Sequence, residues 1–290
     1  MKNSLNFAKI DEERYSNLKD SKVVIIPVPY DATATYKKGT KLGPAAIIDA
    51  SRYMEQFDEE LNKETYKIGI HTAKPLNVKR LSPKKMTLKV QDAVKSVIEK
   101  DKFPVILGGE HSISVGAVRA IAKAVDHFSI LHLDAHCDLR NEYFGSRYNH
   151  GCFARRVIEL APIVQVGIRS LSKEEKDFLP HPKIRIISAY DIQNDKEWIK
   201  KACDTLSENV YVTIDADVFD PSVVPSVGTP EPGGIGWYDA INLFKMLTKK
   251  RRVIGFDAME LCPQKGGEAS DFLMAKLIYR FLGYIFDNKK

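Results

Sequence analysis

Short, continuously apolar runs recur along the chain, each followed by a helical pattern, and this alternation limits the possible folds more than any other feature. The runs are Lys22 to Val28, Tyr66 to Ile70, Phe103 to Leu107 and Ser129 to Leu133, then Ile163 to Ile168, Ile184 to Ile187, Val210 to Ile214 and Arg252 to Phe256. Helical patterns stand between them: Pro44 on to Phe57, Ser82 to about Lys100, Ser112 to about Val125, a stretch through Leu160, Ser172 to Leu179, Asp195 to Leu206, and an amphipathic segment from Trp237. Ser82-Pro83 supplies an N-cap and a first-turn proline. Strands this short and this uniformly apolar are covered on both faces, so the expected class is α/β: a three-layer α/β/α arrangement around a mostly parallel sheet of about eight strands. No repeat, low-complexity tract or linker divides the 290 residues, and a single domain over 1–290 is expected. Ligands of such sheets gather at the carboxyl ends of the strands.

Those ends carry the residues capable of chemistry. Leu131 to Arg140 reads Leu-His-Leu-Asp-Ala-His-Cys-Asp-Leu-Arg. Asp134, His136 and Asp138 fall at every second position and, on an extended backbone, project to one side. Their mutual repulsion and desolvation would be offset by a bound divalent cation. Asp215-Ala-Asp217 repeats the spacing after the run Val210 to Ile214, followed by Asp220 and a Pro/Gly-rich loop from Pro221 to Gly234. His111 comes just past another run, behind Gly108 and Gly109, which let the backbone approach closely. A lone Asp-x-Asp is commonly a helix cap or a solvated turn, and a lone loop histidine is commonly structural. Repetition at strand ends makes His111, Asp134, His136, Asp138, Asp215 and Asp217 a set of candidate metal ligands. They suffice for two divalent ions sharing carboxylates, and so oxygen-rich a set favours Mn²⁺ over a thiolate-bound metal, although raw affinity rises toward zinc. Cys137 is out of phase and should face away. His132 shares Asp134's side of the strand but lies deeper, and is expected to be packed and hydrogen-bonded.

Composition narrows the partners. The net charge, 44 − 38 = +6, is spread along the chain, without the clustered basic stripe and aromatics that nucleic acid calls for. Lys249 to Arg252 reads as a cationic helix end, favourable to the helix dipole. The four cysteines, Cys137, Cys152, Cys203 and Cys262, form no C-x-x-C pair, so neither a disulfide framework nor a zinc ribbon is indicated and a reducing compartment is expected. Met1 to Arg14 is polar, and no stretch approaches the length of a membrane span. A soluble, cytoplasmic chain with neither membrane nor nucleic-acid partners is the expectation.

The motifs Gly108-Gly-Glu-His-Ser112, Asp134-Ala-His-Cys-Asp138, Asn149-His-Gly151, Asp215-Ala-Asp-Val-Phe-Asp-Pro221, Gly228-Thr-Pro-Glu-Pro-Gly-Gly234 and Asp257-Ala-Met-Glu260 resemble those of the ureohydrolases, the family of arginases and agmatinases. They stand in the family's order from about Lys22 to Lys276 and look most like bacterial or archaeal agmatinases. The resemblance implies an arginase-like fold and two Mn²⁺ ions, one held by His111, Asp134, Asp138 and Asp215, the other by His136, Asp134, Asp215 and Asp217. It implies hydrolysis of a guanidinium group by a hydroxide bridging the ions, which can lower the pKa of bound water from about 15.7 toward about 7. Asp138 would then orient the nucleophile and pass on its proton, and His150 would shuttle protons or touch substrate. Glu260 would pair in bidentate fashion with the guanidinium. Apart from the family, Glu260 reads as a salt-bridge residue and His150 as a surface histidine. The Glu231 loop and Gly167-Ile-Arg-Ser170 look like the agmatinase versions, implying agmatine as substrate, with putrescine and urea as products. Arg140 stands where arginases carry an asparagine for the substrate α-carboxylate, so arginase or guanidinobutyrase activity remains the alternative, and a non-catalytic metal-binding relative a further one. The family also implies a homo-oligomer, trimer or hexamer.

Overall fold

The computed structural model describes residues 6–287; the first five and last three residues, part of the single-domain expectation and of the polar amino-terminal stretch, lie outside the described residues. The chain runs through α1 (Glu13–Ser16), β1 (Val23–Val28), α2 (Gly43–Ser51), a small hairpin of β2 (Phe57–Asp58) and β3 (Lys63–Glu64), then β4 (Ile70–Thr72), α3 (Pro83–Ile98) and β5 (Phe103–Gly108). It continues with α4 (Ser114–Ala124), β6 (Ser129–Leu133), α5 (Phe153–Val157), β7 (Ile163–Ile168), α6 (Lys173–Phe178), β8 (Ile184–Ser188), α7 (Ala189–Asn194) and α8 (Trp198–Thr205). Last come β9 (Asn209–Asp215), α9 (Trp237–Lys250), β10 (Arg252–Met259) and α10 (Glu268–Ile285). Eight strands form one sheet in the order β4-β1-β5-β10-β9-β6-β7-β8, with every neighbouring pair parallel.

Successive strand residues point to opposite faces, and both faces are covered. Val23 and Ile25 join one apolar core with Ile47 of α2, Trp198 of α8, Phe244 of α9 and Phe281 of α10. Val24 and Ile26 join a second core with Val90 of α3, Val118 of α4 and Phe153 of α5. This is the expected three-layer α/β/α fold with a parallel sheet of eight strands.

Local differences have local causes. The run Tyr66 to Ile70 is not a strand: a 3₁₀ turn occupies Thr65–Ile68 and the strand begins at Ile70. Gly69 between them has φ 83°, and a Cβ there would come within 2.7 Å of Ser21 Cα, so the chain turns sharply before it can pair. The helix from Pro44 stops at Ser51, and Phe57 pairs instead with Glu64 in the hairpin. Asp195 to Leu206 begins its helix only at Trp198. The preceding α7 was not expected; a reciprocal capping box between Ser188 and Asp191 starts it. No helix among the described residues is long and apolar enough to cross a membrane.

The register sets the site. Leu133 pairs with Ile214, Asp215 with Met259, and Ala258 with Leu107, so the carboxyl ends of four adjacent strands, β5, β10, β9 and β6, finish at one level. His111, Glu260, Asp215 and Asp134 stand at or just past these ends. Gly108 permits the level to be tight, since a Cβ there would lie 2.0 Å from Met259 Sδ.

Candidate metal centre

Asp134 sits at the middle of the cluster and is wholly buried. Its Oδ1 accepts the backbone N–H of His136 at 2.5 Å, and its Oδ2 accepts Nε2–H of His132 at 2.7 Å. His111 Nδ1 lies 2.9 Å from Asp215 Oδ2, 3.3 Å from Asp134 Oδ2 and 3.8 Å from Asp138 Oδ2. On the other side, His136 Nδ1 lies 3.0 Å from Asp217 Oδ2 and 3.4 Å from Asp134 Oδ1. Two groups of ligand atoms therefore meet at Asp134, one around His111 and one around His136. The six residues singled out from the sequence are all in this one place.

They do not arrive there on one extended strand. β6 ends at Leu133, before the first of them, and Asp138 has φ 52°, left-handed backbone that turns its carboxylate back toward His111. The two-residue spacing is real, but loop geometry rather than strand pleat brings the side chains together. Cys137 is fully buried in the second core, among residues such as Leu139 and Phe153, facing away as expected.

Hydrogen bonds from behind fix which atoms face the cluster. Thr213 Oγ1 donates to Asp257 Oδ1 at 2.5 Å, and Tyr211 donates to Asp257 Oδ2 at 2.7 Å. With its only hydrogen spent, Thr213 accepts from His111 Nε2–H at 2.8 Å, which presents Nδ1 to the carboxylates. Gln165 donates to the Cys137 carbonyl at 2.8 Å and to His132 Nδ1 at 2.9 Å. His132 therefore holds its proton on Nε2 and gives it to Asp134. Its lone pair is used by Gln165, so His132 orients a ligand rather than acting as one, the packed and hydrogen-bonded role expected for it.

The electrostatics suit a cation. Burial, and then the neighbouring charge of Asp134, raise the pKa of Asp138 well above the usual carboxylate range. Asp215 is raised in the same way by burial, Asp217 and Asp134. Burial opposes a charge on His111, yet its hydrogen bonds to Asp134 and Asp215 carry its pKa well above the ordinary imidazole value. Protons are thus held where carboxylates converge out of water, and divalent ions would replace them at less cost. The donor set, four carboxylates and two imidazoles with both Nδ1 atoms turned inward, fits such ions.

The cluster opens into a cavity of about 270 Å³ lined by His136, Asp138, His150, Asp217 and Glu260, with Lys37 and Arg140 also in its wall. Glu260, in left-handed backbone at φ 60°, accepts the N–H of His111 on Oε1 at 2.8 Å. Burial, then Asp215 and Glu110, raise its pKa well above the ordinary glutamate value. No lysine or arginine among the described residues lies within ion-pair distance of it, so it is not the salt-bridge residue it resembles when read alone. His150 is held by Thr33, whose Oγ1 accepts its backbone N–H at 3.0 Å, and burial pulls its pKa down to about 4. Thr33 is in turn gripped by the buried Glu110, which accepts its N–H and its hydroxyl. Glu231 reaches the rim with Oε1 3.8 Å from His136 Nε2. Arg140 lays its guanidinium over the Tyr143 ring at 4.5 Å, and no carboxylate among the described residues pairs with it. Sequence reasoning missed Thr213, Gln165 and Thr33, which stand in none of the motifs, and the supporting roles of Glu110 and Asp257, which stand in motifs but bond to residues far from them in the chain.

A parallel α/β/α sheet that gathers buried carboxylates and imidazoles around one cavity at its strand ends defines a class, α/β/α proteins with a candidate metal centre at the carboxyl ends of their strands. The sequence model described as the Arginase family matches residues 21–283, and the chain belongs to the arginase family, as a hydrolase acting on amidino groups. It is 39% identical over 283 residues to an N(1)-aminopropylagmatine ureohydrolase of Synechocystis sp., covering 95% of this chain and 92% of that protein. It is 34% identical to the agmatinase of Pyrococcus horikoshii, over 92% of this chain and 93% of that one. The solved agmatine ureohydrolase of Thermoplasma volcanium is similar with a TM-score of 0.84 and 31% identity, covering 95% of this chain and 93% of that chain.

Proposed function

We propose that this protein hydrolyses the guanidinium group of agmatine to putrescine and urea. The observation that supports this most is Glu260, a carboxylate facing the cavity beside the histidine–aspartate cluster with no cationic partner among the described residues. A planar guanidinium would satisfy its charge in bidentate fashion and bring the carbon to be attacked beside the cluster. Two divalent ions, with Mn²⁺ suited to so oxygen-rich a set, would supply Lewis-acid charge and a water of lowered pKa. His111, Asp134, Asp138 and Asp215 would hold one, and His136, Asp134, Asp215 and Asp217 the other.

The chain's own groups account for the remaining work. Asp138 accepts a proton from the nucleophile and returns it to the departing nitrogen. His150, neutral at neutral pH, offers a hydrogen bond to substrate without adding a positive charge that would repel it. Glu231 at the rim attracts a cationic tail, and its loop is the feature by which agmatine is preferred to substrates bearing a carboxylate. The relative from Synechocystis favours an N-aminopropyl extension of agmatine as a second substrate. A cytoplasmic location and a trimeric or hexameric assembly belong to the same reading and rest on family resemblance.

The test is urea release measured in parallel from agmatine, N1-aminopropylagmatine, arginine and 4-guanidinobutyrate. One of the two amines should have the highest kcat/KM. Faster turnover of arginine or 4-guanidinobutyrate would overturn the assignment and make Arg140 a carboxylate-binding residue.

A further inference from the structure

Every N–H group of the Arg169 side chain ends on a backbone carbonyl. Nε donates to the Glu231 carbonyl at 3.2 Å, and Nη2 donates to those of Asp217 at 2.7 Å, Glu231 at 2.8 Å and Phe219 at 3.3 Å. Nη1 donates to the carbonyls of Gly167 at 3.0 Å and Val218 at 3.3 Å. The backbone N–H of the same residue donates to the Ala135 carbonyl at 2.8 Å, between Asp134 and His136. No carboxylate among the described residues pairs with this guanidinium. Three segments meet on it: the end of β7, the turn that carries Asp217, and the loop that carries Glu231.

The surroundings are shaped for that meeting. Gly167 has φ 96°, and a Cβ there would lie 2.8 Å from Val218 Cγ2, so the strand end presses against the ligand turn. The Glu231 loop also touches Asp217 directly, where Thr229 donates to its Oδ2 at 3.4 Å. A flat fork with five fixed donors can serve three carbonyl-bearing segments at once, which the point charge of a lysine cannot do. We propose that Arg169 is a positioning residue that locks the Glu231 loop to the Asp217 turn, so that the rim carboxylate and the ligands on the cluster's His136 side keep one fixed spacing. Loosening it frees both together.

Only the kinetic part of the test rests on the guanidine-hydrolase reading. Arg169→Lys and Arg169→Gln would be compared with the parent by hydrogen exchange of the metal-free protein, by Mn²⁺ titration, and by steady-state kinetics. The amides of Asp217, Asp220, Gly233, Gly234 and Ile235 are all hydrogen-bonded. They should exchange faster in both variants while those of β5, β6, β9 and β10 stay as protected as in the parent. Mn²⁺ affinity should fall by about 10–100-fold, the usual effect of removing a support behind a ligand. On agmatine, KM should rise more than kcat falls. Unchanged exchange at those five amides together with unchanged Mn²⁺ affinity in Arg169→Lys would overturn the proposal. So would a uniform rise in exchange across the strands, the mark of general destabilisation. If no guanidine is hydrolysed, the exchange and titration results still decide the matter, and if Arg169→Gln does not fold, Arg169→Lys carries the test.

Discussion

Asp134 is where the two halves of the cluster join. Both its oxygens already accept a hydrogen bond, from His136 N–H and from His132 Nε2–H. Asp134→Asn would turn an amide NH₂ toward one of these donors, leaving a buried donor unpaired, and would remove the charge that the two proposed ions would share. Urea release should fall by at least about 100-fold and Mn²⁺ binding should weaken with it. Cys137→Ser, three positions on and facing the core, should keep most of the activity; equal losses in the two variants would contradict the assignment of faces. At this scale much was legible. Five of the six clustered residues were readable because a two-residue spacing recurs just after apolar runs, and His111 because it follows another such run behind two glycines. What was not legible was the reason they converge. A positive φ at Asp138 and a strand that ends at Leu133 cannot be read from spacing. Nor could Thr213, Gln165 and Glu110 be singled out, since each supports a residue far from it in sequence.

At the scale of elements, the alternating core was readable and the amino- and carboxyl-terminal additions were not. α10 is buried along most of its length, and its apolar residues follow no run-and-helix cycle that would announce it. It is tied to the β2–β3 hairpin by Arg280, whose Nε donates to the fully buried Asp58 at 2.9 Å and which also pairs with Glu59. Arg280→Met would leave Asp58 without its cation, and removing one partner of a buried pair costs about 3–5 kcal/mol. Urea unfolding should show that loss as a lower midpoint with an unchanged slope. Early in the same helix, Asp271 has an Oδ1 with no hydrogen-bond partner among the described residues, and burial pushes its pKa up to about 6. The folded chain thus holds this proton more tightly than the unfolded chain. Stability from this group is therefore greatest below the ordinary carboxylate range and is lost as pH rises toward 6, with no further change above that. Asp271→Asn should accordingly raise Tm at pH values above 6 and leave it nearly unchanged in acid. The same gain at both extremes would contradict this account.

For the whole molecule, the order of the strands does the most. β9 and β10 come late in the chain yet lie between β5 and β6, so the ends of four strands distant in sequence become neighbours, and each brings at least one member of the site. Their adjacency was not legible from the apolar runs, which report strands but not their order. The ordered motifs stood in for it, because they matched a family in which those segments meet. Fold and reaction class thus followed from different information, the first from periodicity and the second from a set of polar residues that only the sheet order unites. A two-ion centre on which guanidinium hydrolysis depends is tested by stepwise loading of the metal-free protein with Mn²⁺, with bound metal and urea release from agmatine read in the same titration. Binding should reach two ions per chain, with activity rising as the sites fill. Urea release that persists in the metal-free protein, or binding that saturates at a single ion with full activity, would contradict it.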